Sequence, residues 1–445
     1  MNILIIYNPT QTYTNNVFQH LLSFALNSDN SVHYTSQELL VYFSLRDFDL
    51  IIFHYTYRLA FNQLYYDTKS KLKRYTGIKC CFIQDEYDKV STSIGHMRDI
   101  KFDFIYTAVP KKNIHKVYPK VYFPSTTFIN TLTGFYLPNQ FSSFNPKAHS
   151  KRKIIFGYKG RALPIRYGQL GQDKSLIAKL IIPFCKENRL RYEITTSEES
   201  RVYGDEFYHF LNNSLAVLGT ESGSNIFDWD GDLEDKINEL IEPKLTLKRF
   251  LLKHEKKGLM NQISPRIFES IYFRNYLVLF EGGYSGILIP HKHYFPLKKD
   301  GSNLPELLEN IKDIKKIKQT TDLAYKDIIA SGKYTYSRFI KSFDLEMNEA
   351  FRKKSRKKNK KDASFKISLL RQSGYITYFP TRIIYKDNKQ IPQYRNPGKL
   401  IDIPQDYLEK KPLEDNLNRL KYFCNIFSNI FGRLADLFAT KGFYN

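Results

Sequence analysis

The chain has 445 residues, 42% of them hydrophobic and 15% aromatic, enough apolar side chain for two or three domains with cores of their own and too much for a disordered polymer. Its 68 Lys and Arg against 45 Asp and Glu leave a net charge of +23, which points to a negatively charged partner: nucleic acid, anionic lipid or a phosphorylated ligand. No apolar run reaches about 18 residues, so no bilayer-spanning helix is expected, and the four cysteines (Cys80, Cys81, Cys185, Cys424) lack metal-ligand spacing, so neither a disulfide framework nor a zinc site is expected.

Met1-Asn2-Ile3-Leu4-Ile5-Ile6-Tyr7 has no basic n-region or small-residue cleavage site and reads as a first strand, which predicts a cytoplasmic protein. Strand-like runs Ile3 to Tyr7, Leu50 to Phe53, Cys80 to Ile83 and Phe104 to Thr107 alternate with longer amphipathic stretches, the pattern of a mostly parallel sheet covered by helices. Two strand ends carry polar chemistry: His54 to Arg58, and Gln84-Asp85-Glu86-Tyr87-Asp88. A lone strand-end His such as His54 is more often structural. The acidic pair Asp85 and Glu86 is equally at home capping the next helix or pairing with Lys89 and Arg98.

A polar stretch from Asn139 to Lys151 reads as a linker, after which strands resume at Lys153 to Gly157, Tyr192 to Thr195, Leu215 to Leu218 and Tyr276 to Phe280. Helices are predicted between them at Lys174 to Asn188, Asp205 to Leu211 and Asp232 to Ile241. Gly157-Tyr158-Lys159-Gly160-Arg161 reads as a turn bearing two glycines and two cations, a combination that suits a diphosphate and equally describes a plain basic turn. The loop Gly219-Thr220-Glu221-Ser222-Gly223-Ser224-Asn225 falls where open α/β sheets bind ligands, or is a structural turn. In Ser264-Pro265-Arg266-Ile267-Phe268-Glu269, Ser264 is a natural N-cap and Pro265 suits the first helical position. Helical spacing of Ile267, Ile271 and Tyr272 puts Glu269 off the apolar face, free to accept ribose hydroxyls or simply solvated.

Farther on, His291-Lys292-His293 has no nearby carboxylate or Cys to complete a metal site and reads as a loop before a helix from Leu304 to Ile311. Eight of the ten residues from Arg352 to Lys361 are basic, a solvated linker. Apolar residues from Leu413 to Phe438 then recur at steps of three or four, an amphipathic helix suited to a subunit interface or, with the basic block beside it, to an anionic membrane surface.

Together these pieces resemble the GT-B glycosyltransferases, particularly those encoded with bacterial surface polysaccharides such as lipopolysaccharide and capsule. The resemblance covers about residues 1 to 350. It implies an α/β fold of two Rossmann-like domains facing across a cleft: residues 1 to 145 on the acceptor side and 151 to 350 holding a nucleotide-sugar, with 351 to 445 a basic, helical appendage. The implied activity is transfer of a sugar from a nucleotide-sugar to a glycan acceptor, lipid-linked and reached from the inner face of the membrane, with no separate cofactor and no metal. In the donor domain the resemblance implies that Glu269 meets the ribose and that Lys159 or Arg161 meets the diphosphate, with Gly157, Ser222 and Arg266 lining the same pocket. Glu221 resembles the loop glutamate of the family's retaining members, but the extra segment Ile226 to Ile263 separates it from Glu269, against the family's compact spacing. An inverting enzyme would need a general base on the acceptor side, and Asp85 or Glu86 fits that part. A non-catalytic scaffold or a partner subunit is the alternative, and a homo-oligomer is compatible with either. A nucleic-acid partner is disfavoured, because helix-turn-helix, RNP and zinc-finger patterns are absent and the basic run lacks interleaved aromatics.

Overall fold

The computed structural model describes residues 1–393 apart from 142, 199, 201, 203, 240–248, 251, 355–359 and 387–388. The apolar stripe from Leu413 to Phe438, Cys424 and the middle of the basic block lie outside the described residues.

Eleven short strands form two separate parallel sheets. The first comprises β1 (Asn2–Ile6), β2 (Ser31–Thr35), β3 (Leu50–Phe53), β4 (Ile78–Phe82), β5 (Phe104–Thr107) and β6 (Thr127–Asn130), in the order β2-β1-β3-β4-β5-β6. The second comprises β7 (Ile154–Lys159), β8 (Tyr192–Thr195), β9 (Ser214–Gly219), β10 (Tyr276–Phe280) and β11 (Phe295–Leu297), in the order β11-β10-β9-β7-β8. All neighbours in both sheets run parallel. Parallel strands are covered on both faces, which is why β1, β3, β4 and β10 are near-continuous runs of Ile, Leu, Val, Phe and Cys. Cys80 and Cys81 point into the cores on opposite faces of β4, and both thiols are fully buried. The chain thus has the two-domain α/β arrangement expected from the sequence.

In each sheet the strand order reverses once, between β1 and β3 in the first and between β7 and β9 in the second. Loops leaving the carboxyl ends of strands on either side of such a reversal diverge and leave a crevice. In the second sheet that crevice is bounded by Gly160 and Arg161 after β7 and by Thr220 and Glu221 after β9.

Two departures from the sequence reading bear on the site. The helix Tyr336–Lys354 does not close the second domain. It returns to the first, where Ile340, Phe343 and Met347 pack against Leu21, Phe24 and Tyr106, and Asp344 accepts hydrogen bonds from Ser28 Oγ and the Asp29 N–H. Ile367 and Ile376 follow it into the first core, so the described residues of 336–354 and 360–382 are built into the domain that residues 1–130 begin. The extra segment between Glu221 and Glu269 also docks on the first domain. Phe227, Leu259 and Met260 are buried in its core, and Asp228 and Trp229 exchange backbone hydrogen bonds with Tyr87, Val90 and Ser91. Three such side chains, at about 1.5 to 3 kcal/mol each, hold the two domains together along one side of the cleft.

Candidate functional site

The chain turns sharply after β4. Asp85 adopts a left-handed conformation (φ 52°), and its carboxylate, with 56% of the side chain exposed, takes a hydrogen bond from Tyr87 Oη at 2.8 Å. Arg58 stands 3.8 Å away. Glu86 faces the other way. It is 2% exposed, accepts hydrogen bonds from Thr107 Oγ1, from Tyr118 Oη at 2.5 Å and from the Ala108 N–H at 2.7 Å, and burial pushes its carboxyl up to about 7 against those donors. Glu86 therefore caps the end of β5 inside the core and does not reach an acceptor. Of the expected pair, only Asp85 looks into the cleft. His54 is buried as well, 2.9 Å from His20, and burial with the second imidazole beside it keeps it well below the usual histidine range.

Across the cleft, β7 runs on through Lys159, so Gly157 lies inside the strand and not in a turn. A Cβ there would sit 2.5 Å from Ser214 Oγ and 2.7 Å from Phe210 Cζ, so the glycine lets the helix Asp205–Asn213 pack on the sheet. Lys159 shares that face: its ammonium pairs with Glu193 at 2.6 Å, lies over the Phe210 ring, and leaves the side chain 11% exposed. Arg161, past the strand end, is exposed and 3.2 Å from Glu198. Arg266 spans the gap between elements, its Nη1 donating to the Lys159 carbonyl at 2.7 Å while the guanidinium stacks over Phe207.

One cation here escaped the sequence reading. Lys174, on the second turn of the helix Gly168–Glu187, has no hydrogen bond or ion pair among the described residues. Burial pushes its ammonium down to about 8, with Arg266 and Arg161 pushing the same way and Asp85 across the cleft opposing. A partly desolvated lysine that feels two arginines and has no ion pair among the described residues is a site short of an anion. Its only sequence signal is a lysine early in a helix that follows a switch-point strand.

Glu269 lies on the helix Pro265–Tyr272, whose first residue is the proline, as expected, and whose N-cap Ser264 is extended but makes no side-chain capping hydrogen bond. The carboxylate keeps partial solvent access but is enclosed enough that burial raises it to about 7, with Arg266 and the Tyr208 hydroxyl opposing. Tyr208 Oη in turn accepts from Asn15 Nδ2 of the first domain at 2.9 Å. Glu269 thus stands where the two domains meet.

Glu221 is 7% exposed, and its carboxylate accepts from the Gly283 N–H at 3.1 Å, the Tyr284 N–H at 2.8 Å and Asn261 Nδ2 at 2.5 Å. It shapes the loop after β10. Ser222 exchanges backbone hydrogen bonds with Gln262 at 2.8 and 2.9 Å, and Gly223 (φ 97°) leaves room for the Met260 carbonyl. The extra segment therefore leaves and rejoins the cleft at one point. Glu221 comes one residue before that bridge and Glu269 seven after Gln262, while their carboxylates meet different partners, Glu221 the loop after β10 and Glu269 the neighbourhood of Arg266 and Tyr208.

The His291 and His293 side chains diverge. His293 is buried, 3.1 Å from Asp327, whereas His291 is exposed, and no group of three metal-ligating side chains occurs among the described residues. A cavity of about 370 Å³ lies beside His293, lined by Ile289, Lys326, Asp327 and Lys333, and includes none of Asp85, Lys174, Arg266 and Glu269.

No protein-family model and no curated protein matches the chain. Among solved structures it is similar to TarM, at 12% identity and a TM-score of 0.41 over 67% of this chain and 54% of that one, so it spans about half of TarM's length. It is also similar to an alpha-glucosyltransferase in complex with UDP (11% identity, TM-score 0.45, 78% of this chain and 99% of that one). A third is AviGT4, a glycosyltransferase involved in avilamycin A biosynthesis (10%, TM-score 0.40, 79% and 98%).

Proposed function

We propose that the protein is a glycosyltransferase that moves a sugar from a nucleotide-sugar to a glycan acceptor, with the donor on the second domain and the acceptor on the first. The observation that carries this is the convergence of Lys174, Arg266 and Arg161 at the switch point of the second sheet, facing Asp85 across the cleft, with Glu269 on the wall between the domains. Cations held before the ligand arrives stabilise the charge that grows on a departing diphosphate. In this reading the acceptor hydroxyl attacks the anomeric carbon, and the bond to the diphosphate breaks with its electron pair leaving on the phosphate oxygen. The hydroxyl proton passes to Asp85 in an inverting reaction, or to the leaving diphosphate in a retaining one. Glu269 accepts the ribose hydroxyls. A lipid-linked acceptor of bacterial surface-polysaccharide synthesis accounts for the net charge of +23, because such substrates sit at anionic surfaces.

The test is a thermal-shift screen against nucleotide-sugars followed by calorimetry of Glu269→Ala. A hydrogen bond to a charged group is worth about 1.5 to 3 kcal/mol, so Kd should rise about 10- to 150-fold with the fold intact. Unchanged affinity would remove Glu269 from the site. If no nucleotide or nucleotide-sugar raises the melting temperature, the scaffold alternative takes over.

A further inference from the structure

We propose that the first domain docks on an anionic lipid surface through the short helical turns that follow β5. Lys111, Lys112, Lys116 and Lys120 are all exposed there, and Arg98 and Lys101 from the end of the preceding helix, Val90–Ile100, extend the same face. None of these six has an ion pair among the described residues. The acids beside them are already taken, Asp99 by Lys69 at 2.7 Å and Asp103 by Lys354 at 2.7 Å. At the tip Val121 is 79% exposed and Tyr122 46%. The tip is held stiffly, because Val117, Tyr118 and Phe123 beneath it are buried and the Tyr118 and Phe123 rings pack against Phe128.

Unopposed cations ringing an exposed apolar tip match a surface that is anionic outside and hydrocarbon beneath: the lysines meet headgroups while Val121 and Tyr122 enter the boundary. A nucleic acid would satisfy the lysines and leave Val121 against phosphate. The turn also touches the segment between Glu221 and Glu269, as Asn113 Nδ2 donates to the carbonyls of Gly258 at 2.8 Å and Leu259 at 3.0 Å. Docking here would present the cleft to a lipid-linked acceptor, so the inference deepens the proposed function at its acceptor end while resting on separate residues. It is also independent of the tail beyond residue 393.

The experiment uses the full chain and phosphatidylcholine vesicles with or without phosphatidylglycerol. The wild-type protein should co-sediment only with the anionic vesicles and be released by salt, since such charges act within a Debye length of about 8 Å at physiological ionic strength. Replacing Lys116→Glu, Lys120→Glu and Val121→Asp together should weaken partitioning at least about tenfold, because each basic residue near such a surface carries weight. The triple variant should keep its melting temperature and its stabilisation by nucleotide-sugar, which separates this outcome from failure of the donor reading. If it misfolds, Lys111→Gln with Lys112→Gln serves instead, with a smaller loss expected. Vesicle binding unchanged by both sets would overturn the proposal. So would tighter wild-type binding to duplex DNA than to anionic vesicles, with the same variants abolishing it.

Discussion

Replacing Lys174 with methionine keeps an unbranched stem of similar length and removes an ammonium that burial, Arg266 and Arg161 together hold near pKa 8. In the free protein at pH 8 about half of Lys174 is therefore neutral, whereas a diphosphate beside it would restore the charged form. Lys174's share of donor binding should then be an uptake of about half a proton at pH 8 and almost none at pH 6, where Glu269, held near 7, would instead release one, and the Lys174 contribution to affinity should fall as the pH rises through 8. Titration calorimetry in buffers of different ionisation enthalpy reads this uptake directly. In Lys174→Met the uptake at pH 8 should vanish and Kd should rise about 10- to 150-fold, the worth of a charge-assisted hydrogen bond. Stability should move the opposite way. A lysine whose folded pKa is depressed destabilises the native state wherever the unfolded chain holds the proton more tightly, so the methionine variant should melt higher at pH 7. A variant that binds donor like the wild type, or a wild type with no buffer-dependent enthalpy at pH 8, would refute the assignment of the diphosphate to this cluster.

Glu86, raised to about 7 from an ordinary 4.5, binds its proton more tightly folded than unfolded, so stability should decline as the pH rises between those values and stay level above them. Urea midpoints measured at pH 5 and 7.5 should show that decline shrinking in Glu86→Gln, and an unchanged slope would mean that Glu86 titrates normally. Asp88 holds both Arg58 at 2.9 Å in its own domain and Arg166 at 2.6 Å in the other, so Asp88→Asn should cost up to about 3 kcal/mol, the lower end for a buried pair because Arg58 keeps solvent access. X-ray scattering should show a more open molecule, and unchanged dimensions with unchanged stability would discount this clasp.

The sequence by itself determined the elements and their class. Parallel strands buried on both faces need unbroken apolar runs, and Asn2–Ile6, Leu50–Phe53, Ile78–Phe82 and Tyr276–Phe280 carry that requirement openly. Ser31–Thr35, Thr127–Asn130 and Phe295–Leu297 stand at sheet edges, where a shorter or more polar run suffices, and gave no comparable signal. The entry to the Glu269 helix was legible because Pro265 acts locally, its fixed φ suiting the first helical position. Tertiary structure decided everything that depends on which way a side chain turns and what it meets. Asp85 and Glu86 are neighbours of one chemistry, yet a left-handed residue sends the first into the cleft and leaves the second capping β5. Lys159 and Lys174 look alike in the sequence. Glu193 on the adjacent strand neutralises the first, while the second has no ion pair among the described residues and feels Arg266 and Arg161. Ser222 and Gln262 are far apart along the chain yet pair through their backbones, so Phe227, Leu259 and Met260 of the intervening segment reach the core of the other domain. Electrostatics and burial act through space, and only the folded chain brings those distances about.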